Sequence, residues 1–436
     1  MEKKKQIVIL GNGVAGFSAA AQIRELDSDS RIVLMTMEDE YFYNRMLLSK
    51  GLGDPELLDD IVMETPNWYE ERNIDNLLMV NVLKICTDSN QVIYKEMASN
   101  EQTQESSQEQ TITYDVLIYA LGAQAFVPNI RGVKQNGVTT LRTLSDAKKI
   151  QKSLDNVNDI VIVGGGILGL EAAWQCAKQG KKVSIIEAGQ RLMEKQLDEE
   201  GSEFLNHLLA DKGIQVYADH AVMEIITADD ASHISGVLIA NQQMKEETHE
   251  VASVVKEHAM QQTIPAQLVI LACGIAPNIQ IATQADITTD RGVLVDDTMQ
   301  TSVENVFACG DCVQMRDKSR THGLWPEASE MGKTAGINAV HYLNGETLAE
   351  HYLSEKVAFY YKGLDTVIFS IGQIGIKQDS LTDWAIKNGI THQEMRDSSA
   401  GIYEKYYYHK DEMVGAILIG VPEKITKVNE TIGVKS

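Results

Sequence analysis

One pattern occurs twice in the chain and constrains its fold more than any other feature. In each copy a short apolar strand runs into a Gly-x-Gly-x-x-Gly turn, followed by an alanine-rich helix and a second apolar strand. The pattern predicts a strand–helix–strand unit with the fingerprint of dinucleotide binding. Its glycines are Gly11, Gly13 and Gly16 in the first copy and Gly164, Gly166 and Gly169 in the second.

The three glycines of such a turn have separate tasks. The first allows the tight turn, the second lets the backbone approach a pyrophosphate, and the third lets the helix pack closely on the strand. Free N–H groups at the helix N-terminus then bind the phosphates. A single copy is weak evidence, because an ordinary glycine-rich turn can have the same sequence pattern. Two copies in the same strand–turn–helix context favour two bound dinucleotides.

An acidic residue after the second strand of each copy is the candidate ligand of an adenosine ribose. In the second copy this residue is Glu187, which would accept hydrogen bonds from both ribose hydroxyls and repel a 2′-phosphate. NADH is therefore favoured over NADPH. Arg191, four residues later, keeps NADPH as an alternative. In the first copy the expected position holds Thr36, and we assign the role to Glu38, two residues later. The alternative is that residues 38–40 form a solvated acidic turn.

Three further apolar segments, residues 114–120, 267–272 and 305–308, are each followed closely by glycine. Buried parallel strands whose carboxyl ends face a ligand have this pattern. From about residue 357 the pattern changes to short alternating strands. The predicted fold class is α/β, with two Rossmann-like dinucleotide-binding domains and a small C-terminal α+β domain. Two polar stretches are interpreted as an exposed hairpin loop (residues 98–111) and a β-meander (residues 227–263).

Composition narrows the partners and the compartment. A formal net charge of −23 repels the phosphate backbone, so we expect no nucleic-acid partner. No apolar run is long enough to span a membrane, and the N-terminus has no signal-peptide pattern. Five cysteines in 436 residues do not suggest a disulfide framework, so we expect a cytoplasmic protein. No Cys/His cluster has metal-ligand spacing, and no metal site is predicted.

Several segments, spread along nearly the whole chain, resemble the flavoproteins with two dinucleotide-binding domains, the pyridine-nucleotide-disulfide oxidoreductase superfamily. The similarity is greatest to NADH:rubredoxin reductases and to the flavin module of NAD(P)H nitrite reductases. The resemblance implies FAD in a first domain split into residues 1–145 and 276–350. It implies NADH in residues 146–275 and a C-terminal domain in residues 351–436. The matching segments are residues 43–50, 114–122, 161–172, 196–198, 273–278, 305–312 and 324–338.

The resemblance also assigns roles to single residues. Asp311 matches the acid that binds the ribityl chain of FAD. Trp325 and Glu327 open a helix whose N-terminus faces the flavin in this superfamily, so its dipole stabilises the negative charge of the reduced flavin. Core packing is the alternative for Trp325. The remaining candidate contacts are Arg45 and Gly122 for FAD, and Leu168 and Gly274 for NAD.

Lys50 and Glu171 are the candidate catalytic pair. In related reductases the lysine of a Leu-Ser-Lys motif lies beside flavin N5, paired with the glutamate that follows the NAD-binding glycines. Lys50 and Glu171 match these positions, so Lys50 is also a candidate FAD contact and Glu171 a candidate NAD contact. A cation near N5 favours the arrival of hydride, and the carboxylate positions the nicotinamide. The alternative is two unrelated surface charges.

Cysteine placement predicts how electrons leave the flavin. Disulfide reductases and NADH oxidases of the superfamily carry redox cysteines where this chain has Leu48-Ser49-Lys50-Gly51. Cys309 and Cys312 form a C-x-x-C pattern, but the Gly-Asp between them matches the FAD motif, so a redox dithiol is the less favoured interpretation. We therefore predict direct transfer from the flavin to a separate acceptor.

The predicted function is that of an FAD-dependent NADH oxidoreductase. Its acceptor is expected to be a small electron carrier, such as rubredoxin or ferredoxin, or a small molecule. The alternatives are an NADH oxidase reducing O2, the flavin component of a nitrite reductase system, and a non-enzymatic NADH-responsive switch. The C-terminal domain is a candidate homodimer interface. Arg316, Lys318 and Arg320 are a candidate docking patch for an acidic carrier, the alternative being a solvated loop.

Overall fold

The structure, a computed structural model, describes residues 4–97, 108–228, 233–242, 261–316, 323–353, 358–374 and 387–432. The chain divides into two compact units. The first unit consists of Met1–Met46, Asp59–Gln124 and Ile275–Ser354. The second unit consists of Leu47–Leu58, Ala125–Gly274 and Glu355–Ser436.

In the part of the chain that the structure describes, the α-helices are α1 (Val14–Leu26), α2 (Leu48–Gly51), α3 (Pro55–Asp59), α4 (Pro66–Glu71), α5 (Leu144–Leu154), α6 (Ile167–Lys178), α7 (Glu199–Asp211), α8 (Gln280–Gln284), α9 (Trp325–Asn344) and α10 (Ile425–Ile432). The strands of the first half are β1 (Gln6–Leu10), β2 (Arg31–Met35), β3 (Ile74–Leu77), β4 (Val80–Cys86), β5 (Gln91–Glu96), β6 (Gln110–Thr113), β7 (Val116–Tyr119), β8 (Ala123–Ala125), β9 (Val138–Thr140), β10 (Asp159–Val163), β11 (Lys182–Ile186) and β12 (Gln215–Tyr217). Those of the second half are β13 (His220–Thr227), β14 (Ile234–Asn241), β15 (Gln261–Pro265), β16 (Leu268–Leu271), β17 (Ile275–Pro277), β18 (Val293–Val295), β19 (Val306–Ala308), β20 (Val313–Met315), β21 (Phe359–Gly363), β22 (Thr366–Gly372), β23 (Ile390–Asp397), β24 (Ile402–His409) and β25 (Glu412–Ile419).

The first unit is built on a five-stranded parallel sheet in the order β19-β7-β1-β2-β3. The strands are almost wholly apolar and buried, as expected for a parallel sheet covered on both faces. Helix α9 packs closely along α1. The helices are so close that a Cβ atom on Gly332 would overlap the carbonyl oxygen of Ala15. The hydroxyls of Ser18 and Ser329 meet across the same contact at 2.9 Å.

The second unit contains a sheet of the same design in the order β12-β11-β10-β16-β9, again parallel. The predicted meander is present as the antiparallel sheet β13-β14-β15, and residues 229–232 and 243–260 between its strands lie outside the described residues. The predicted hairpin loop falls mostly on residues 98–107, which lie outside the described residues as well.

The C-terminal part of the second unit is a five-stranded antiparallel sheet in the order β21-β22-β25-β24-β23. Helix α10 covers one face, where Val428 packs with Phe369 and Leu418. The fold class expected from the sequence is therefore confirmed. Among the residues that the structure describes, no helix is both long and apolar enough to cross a membrane.

A buried lysine joins this sheet to helix α7. Lys405 on β24 has a side-chain exposure of 0% and lies 2.9 Å from Asp198, 3.1 Å from Glu200 and 3.3 Å from Glu394. The hydroxyls of Tyr403 and Tyr407 also donate to Asp198. Burial lowers the pKa of Lys405, but Asp198 and Glu200 outweigh burial and leave that pKa raised.

The two units divide the chain at other points than the predicted domain boundaries. The first unit reaches only to Gln124, since β9 pairs with β16 and so completes the second sheet. Residues 47–58 belong to the second unit, because α2 and α6 are packed together and Gln179 Nε2 donates to the carbonyl of Leu52 at 2.7 Å. The C-terminal sheet clusters with the second unit rather than standing alone.

Candidate cofactor-binding sites

The first glycine loop accepts only glycine at its ends. Gly11 has φ +108°, and a Cβ atom there would overlap the carbonyl oxygen of Ala120 at the end of β7. A Cβ atom on Gly16 would overlap the carbonyl oxygen of Gly11. The turn between β1 and α1 is thus as tight as a dinucleotide loop requires.

The second glycine loop repeats this arrangement. Gly164 has φ +113°, and its Cβ atom would overlap the carbonyl oxygen of Ala272, which follows β16. A Cβ atom on Gly169 would overlap the carbonyl oxygen of Gly164. The two loops therefore place their first and third glycines against equivalent backbone atoms.

The middle glycines face open space. Gly13 and Gly166 are the N-caps of α1 and α6, neither helix has a side-chain cap, and a Cβ atom on either glycine would meet nothing within 4 Å. A Cβ atom on Gly122 or Gly274, which follow the neighbouring strands, would also meet nothing within 4 Å. An uncapped helix N-terminus with room in front of it fits a pyrophosphate. The residues present in both loops therefore fit a dinucleotide.

Glu38 lies after β2 and is held by two side chains. Arg45 forms an ion pair with it, and the Tyr43 hydroxyl donates to Glu38 Oε2 at 2.6 Å. Burial lowers the pKa of Arg45, but Glu38, Tyr43 and Asp311 outweigh burial and raise it. Arg45 thus lies within electrostatic reach of both predicted FAD acids, Glu38 and Asp311. Thr36 is buried and uses its hydroxyl to accept from the Glu38 N–H at 3.3 Å.

Tyr69 is a residue of this region that sequence reasoning missed. Its hydroxyl accepts from Asn12 Nδ2 at 3.1 Å and from the Phe42 N–H at 3.4 Å, so it joins the glycine loop to the segment that leads to Arg45. Burial raises the pKa of Tyr69 to about 12, which keeps the hydroxyl neutral. No motif marked this residue, because it is distant in sequence from both segments.

Trp325 and Glu327 lie in the first turn of α9, as predicted. The Trp325 ring is 5.7 Å from the Phe42 ring, and Phe42 is stacked on Phe17 at 4.1 Å. The Glu327 carboxylate accepts from the Tyr352 hydroxyl at 3.4 Å. Both predicted FAD contacts therefore also have packing partners within the first unit.

Glu187 follows β11, and backbone amides hold its carboxylate. The N–H groups of Gly165 and Gly189 donate to its two oxygens, each at 2.6 Å. The segment that carries Arg191 then folds back on the glycine loop, where the Met193 N–H donates to the carbonyl of Gly165 at 3.2 Å. Glu187 thus lies beside the second glycine loop, where a ribose ligand is needed. Leu168, in the first turn of α6, is 37% exposed.

Lys50 and Glu171 lie on helices α2 and α6, which pack together in the second unit. Glu171 is only 3% exposed, and its Oε1 accepts from Gln175 Nε2 at 2.6 Å. Lys50 is partly exposed. Within the described ranges no ion pair joins the two side chains, so their predicted pairing during the reaction stays a proposal.

Four of the five cysteines do not resemble reactive thiols. Cys309 and Cys312 are fully buried, and burial raises the pKa of Cys312 to about 12 and that of Cys309 well above its usual value. The Cys312 thiol donates to the Cys309 carbonyl at 3.2 Å. Burial also raises the pKa of Cys176 to about 12 and that of Cys273 to about 11. A thiol must ionise to act as a nucleophile, so these four are poorly suited to redox exchange.

The predicted docking patch is described only in part. Arg316 donates to the Thr301 carbonyl at 3.1 Å and lies 3.8 Å from Asp296. Lys318 and Arg320 lie outside the described residues.

The profile of the family described as pyridine nucleotide-disulphide oxidoreductase matches residues 5–332. The chain belongs to this family. Membership confirms the resemblance drawn from the motifs, together with the oxidoreductase class and the cofactors FAD and NADH.

Two curated relatives and one solved structure are similar over most of the chain. The chain is 28% identical over 425 residues to the assimilatory nitrate reductase electron transfer subunit of Bacillus subtilis (strain 168), which covers 96% of this chain and 48% of that protein. It is 30% identical over 418 residues to the NAD(P)H nitrite reductase of the same organism. That alignment covers 96% of this chain and 46% of the relative. The chain thus spans about half the length of these two relatives.

The solved structure is that of NADH:rubredoxin oxidoreductase from Clostridium acetobutylicum. It aligns with a TM-score of 0.73 at 26% identity, covering 100% of this chain and 96% of that one.

Proposed function

We propose that this protein is an NADH:acceptor oxidoreductase that uses FAD to reduce a separate small electron-transfer protein, without a redox-active disulfide of its own. The observation that carries the proposal is the chemistry of α2. Where disulfide reductases and NADH oxidases of the superfamily carry redox cysteines, this helix has the sequence Leu48-Ser49-Lys50-Gly51. The one C-x-x-C pattern in the sequence is buried, and the pKa of both its thiols is raised.

The residues of the chain have separate parts in this proposal. Bound FAD supplies the chemistry of accepting a hydride and releasing single electrons. The loop from Gly11 to Gly16 binds the FAD pyrophosphate, while Glu38 and Arg45 hold the adjoining ribose. The loop from Gly164 to Gly169 binds NADH, and Glu187 orients its ribose. Lys50 supplies a positive charge and Glu171 a negative charge at the nicotinamide end.

The similarity to NADH:rubredoxin oxidoreductase supports a protein acceptor. That structure aligns over the full length of this chain at 26% identity. The nitrate and nitrite reductase relatives are about twice as long as this chain, so they support a flavin module that serves a separate electron-accepting centre.

The test is a two-stage anaerobic experiment. NADH first reduces the flavin, and the reduced protein is then mixed with rubredoxin, ferredoxin, a small quinone or O2, while flavin reoxidation is followed by absorbance. We expect at least one carrier protein to reoxidise the flavin more than about tenfold faster than O2 does. Fast reoxidation by O2 alone would instead identify an oxidase, and slow reoxidation by every acceptor would favour the switch.

The thiols are tested in the same assay. A double variant, Cys309→Ala and Cys312→Ala, should reduce the best carrier within about twofold of the wild-type rate. Loss of carrier reduction with FAD still bound would contradict direct transfer.

A further inference from the structure

A tyrosine from the C-terminal sheet reaches the predicted nicotinamide-positioning glutamate. Tyr361 lies on β21 and Glu171 on α6, and both belong to the second unit. Their contact is visible at Gly363. A Cβ atom there would overlap the Tyr361 hydroxyl and lie 2.6 Å from Glu171 Oε2. The absence of a side chain at Gly363 therefore leaves room for the two oxygen atoms side by side.

Both of these oxygen atoms are buried, and neither has a hydrogen-bond partner of normal geometry among the residues that the structure describes. Buried polar atoms without partners are costly, so neighbouring donors and acceptors are expected to pair. A hydroxyl beside a carboxylate oxygen is such a complementary pair. Burial, and then the charge of Glu171, raise the pKa of Tyr361, so its hydroxyl remains a donor.

The other oxygen of Glu171 is already occupied. Gln175 Nε2 donates to Oε1 at 2.6 Å, one turn further along α6. The amide oxygen of Gln175 fills the space where a side chain at Gly53 would lie, so Gln175 also contacts the segment that follows α2. Glu171 is therefore connected through Gln175 to the segment that directly follows the helix carrying Lys50.

We propose that Tyr361 is a positioning residue that donates a hydrogen bond to Glu171 Oε2 and, with Gln175 on Oε1, holds the Glu171 carboxylate in one orientation. This inference rests on the proposed role of Glu171 at the nicotinamide. It gives the C-terminal sheet a part in the NADH reaction, beyond that of a covering domain. Tyr361 itself need not touch NADH.

The experiment compares Tyr361→Phe with Tyr360→Phe in the full-length, FAD-loaded protein. Tyr360 is the neighbouring residue on the same strand and is 54% exposed, so it controls for the loss of one phenolic hydroxyl. We expect Tyr361→Phe to slow flavin reduction at saturating NADH about tenfold, the size expected for one lost hydrogen bond to a charged group. NAD⁺ affinity by calorimetry and FAD content should stay within about twofold. Tyr360→Phe should change nothing.

A double-variant cycle distinguishes positioning from a merely structural role. With Glu171→Ala as background, Tyr361→Phe should have no further effect on flavin reduction or on the midpoint of thermal unfolding measured without NADH. Equal effects in both backgrounds would overturn the proposal, as would a wild-type rate for Tyr361→Phe when Glu171→Gln is slow.

If Glu171→Gln reduces its flavin at the wild-type rate, the proposed role of Glu171 fails. The unfolding midpoints then decide whether Tyr361 still pairs with Glu171. Non-additive midpoints in the cycle would support the pairing, and additive midpoints would overturn it. Should Glu171→Ala fail to fold, the same cycle is run with Gly363→Ala, whose methyl group would displace both oxygens.

Discussion

The first and second glycine loops use the same backbone but hold their acidic residues differently. Gly11 and Gly164 have φ values of +108° and +113°, and each lies against the carbonyl oxygen that follows a neighbouring strand. Glu38, however, is paired with the guanidinium of Arg45, whereas two neutral backbone amides hold Glu187. The carboxylate after the first loop is thus paired with a cationic side chain, and the carboxylate after the second accepts from neutral backbone amides.

This difference is the one expected if the first loop binds FAD and the second binds NADH, as we propose. A nicotinamide site must reject or accept a 2′-phosphate, and an uncompensated carboxylate rejects it by repulsion. The adenosine ribose of FAD carries no 2′-phosphate, so the proposed FAD site needs only hydrogen-bond acceptors for the ribose hydroxyls. Glu38 supplies these acceptors, and its ion pair with Arg45 leaves the two side chains without net charge.

The two units are also stabilised differently. In the first unit, α9 packs on α1 through small residues, with Gly332 against Ala15 and an extended apolar core around them. The second unit places a fully buried Lys405 against the buried Asp198 and two further carboxylates. The first contact depends on shape, and the second depends on charge pairing.

The largest effects should come from the end glycines of the loops, and they should be the same in both units. Gly164→Ala puts a methyl group into the Ala272 carbonyl at a positive φ, so we expect NADH binding to be abolished while FAD is retained. Gly11→Ala should abolish FAD binding. NADH affinity and FAD content are the measurements.

The middle glycines are the matched controls, because their Cβ atoms would meet nothing. Gly166→Ala should leave the thermal unfolding midpoint nearly unchanged and weaken NADH binding about tenfold, since the methyl group enters the space assigned to the pyrophosphate. If Gly13→Ala and Gly166→Ala bind their dinucleotides like the wild type, the open spaces have been assigned wrongly.

Removal of the buried lysine should have the next largest effect. Lys405→Met leaves Asp198 buried without its cation, and breaking a buried ion pair in this way costs about 3–5 kcal/mol. The loss should appear in the free energy of urea unfolding of the second unit. The control in the first unit is Arg31→Met, which removes an ion pair to Asp75 that is about half exposed. Exposed pairs contribute about 0–1 kcal/mol, and a comparable loss in both variants would contradict the contrast.

Substitution of the two acidic residues, Glu187 and Glu38, should have smaller effects. We expect wild-type kcat/KM to favour NADH over NADPH by at least about tenfold, or about 1.4 kcal/mol. Glu187→Ala should narrow this ratio, because the charge that repels the 2′-phosphate is gone. Glu38→Ala should leave the ratio unchanged and instead weaken FAD retention, since Arg45 loses its partner. A changed nicotinamide ratio in Glu38→Ala would mean that the two acids do not have separate roles.

The sequence predicted the central strands of both parallel sheets because they are local apolar segments, and glycine follows closely after β1, β7, β10, β16 and β19. The loops at Gly11 and Gly164 were predictable for the same reason, since one short motif carries strand, turn and helix. The antiparallel C-terminal sheet was predicted as a change of pattern, but its packing against the start of α7 through Lys405 was not. Charged residues in a strand normally indicate a solvated face, and the partner Asp198 is far away in sequence.

The contacts of Tyr69 and Tyr361 were missed for a related reason. Each hydroxyl acts at a place set by tertiary packing, and nothing in the neighbouring residues distinguishes these tyrosines from ordinary core residues. The first compact unit ends at Gln124 rather than near residue 145, because β9, only three residues long, joins the second sheet by a pairing that the local sequence pattern does not reveal.

The smallest effect concerns the buried thiols, where the two units should behave alike. Burial raises the pKa of Cys312 in the first unit and of Cys176 in the second to about 12, from an ordinary value of 9.0. The folded protein therefore retains protons that the unfolded chain loses in alkali. This contribution to stability is fully present below about pH 9 and is lost as the pH rises towards about 12.

Between pH 6 and 8.5 the free energy of unfolding should accordingly show no pH dependence from these thiols. Above pH 9 it should fall less steeply in Cys312→Ala and in Cys176→Ala than in the wild type, by at most about 1.4 kcal/mol per pH unit for each thiol. Val313→Ala, which truncates a buried residue next to Cys312, should lower the whole curve without changing its slope. Urea unfolding at pH 7, 9.5 and 10.5 measures the slopes, and a slope in Cys312→Ala equal to that of Val313→Ala would show that the thiol does not retain its proton.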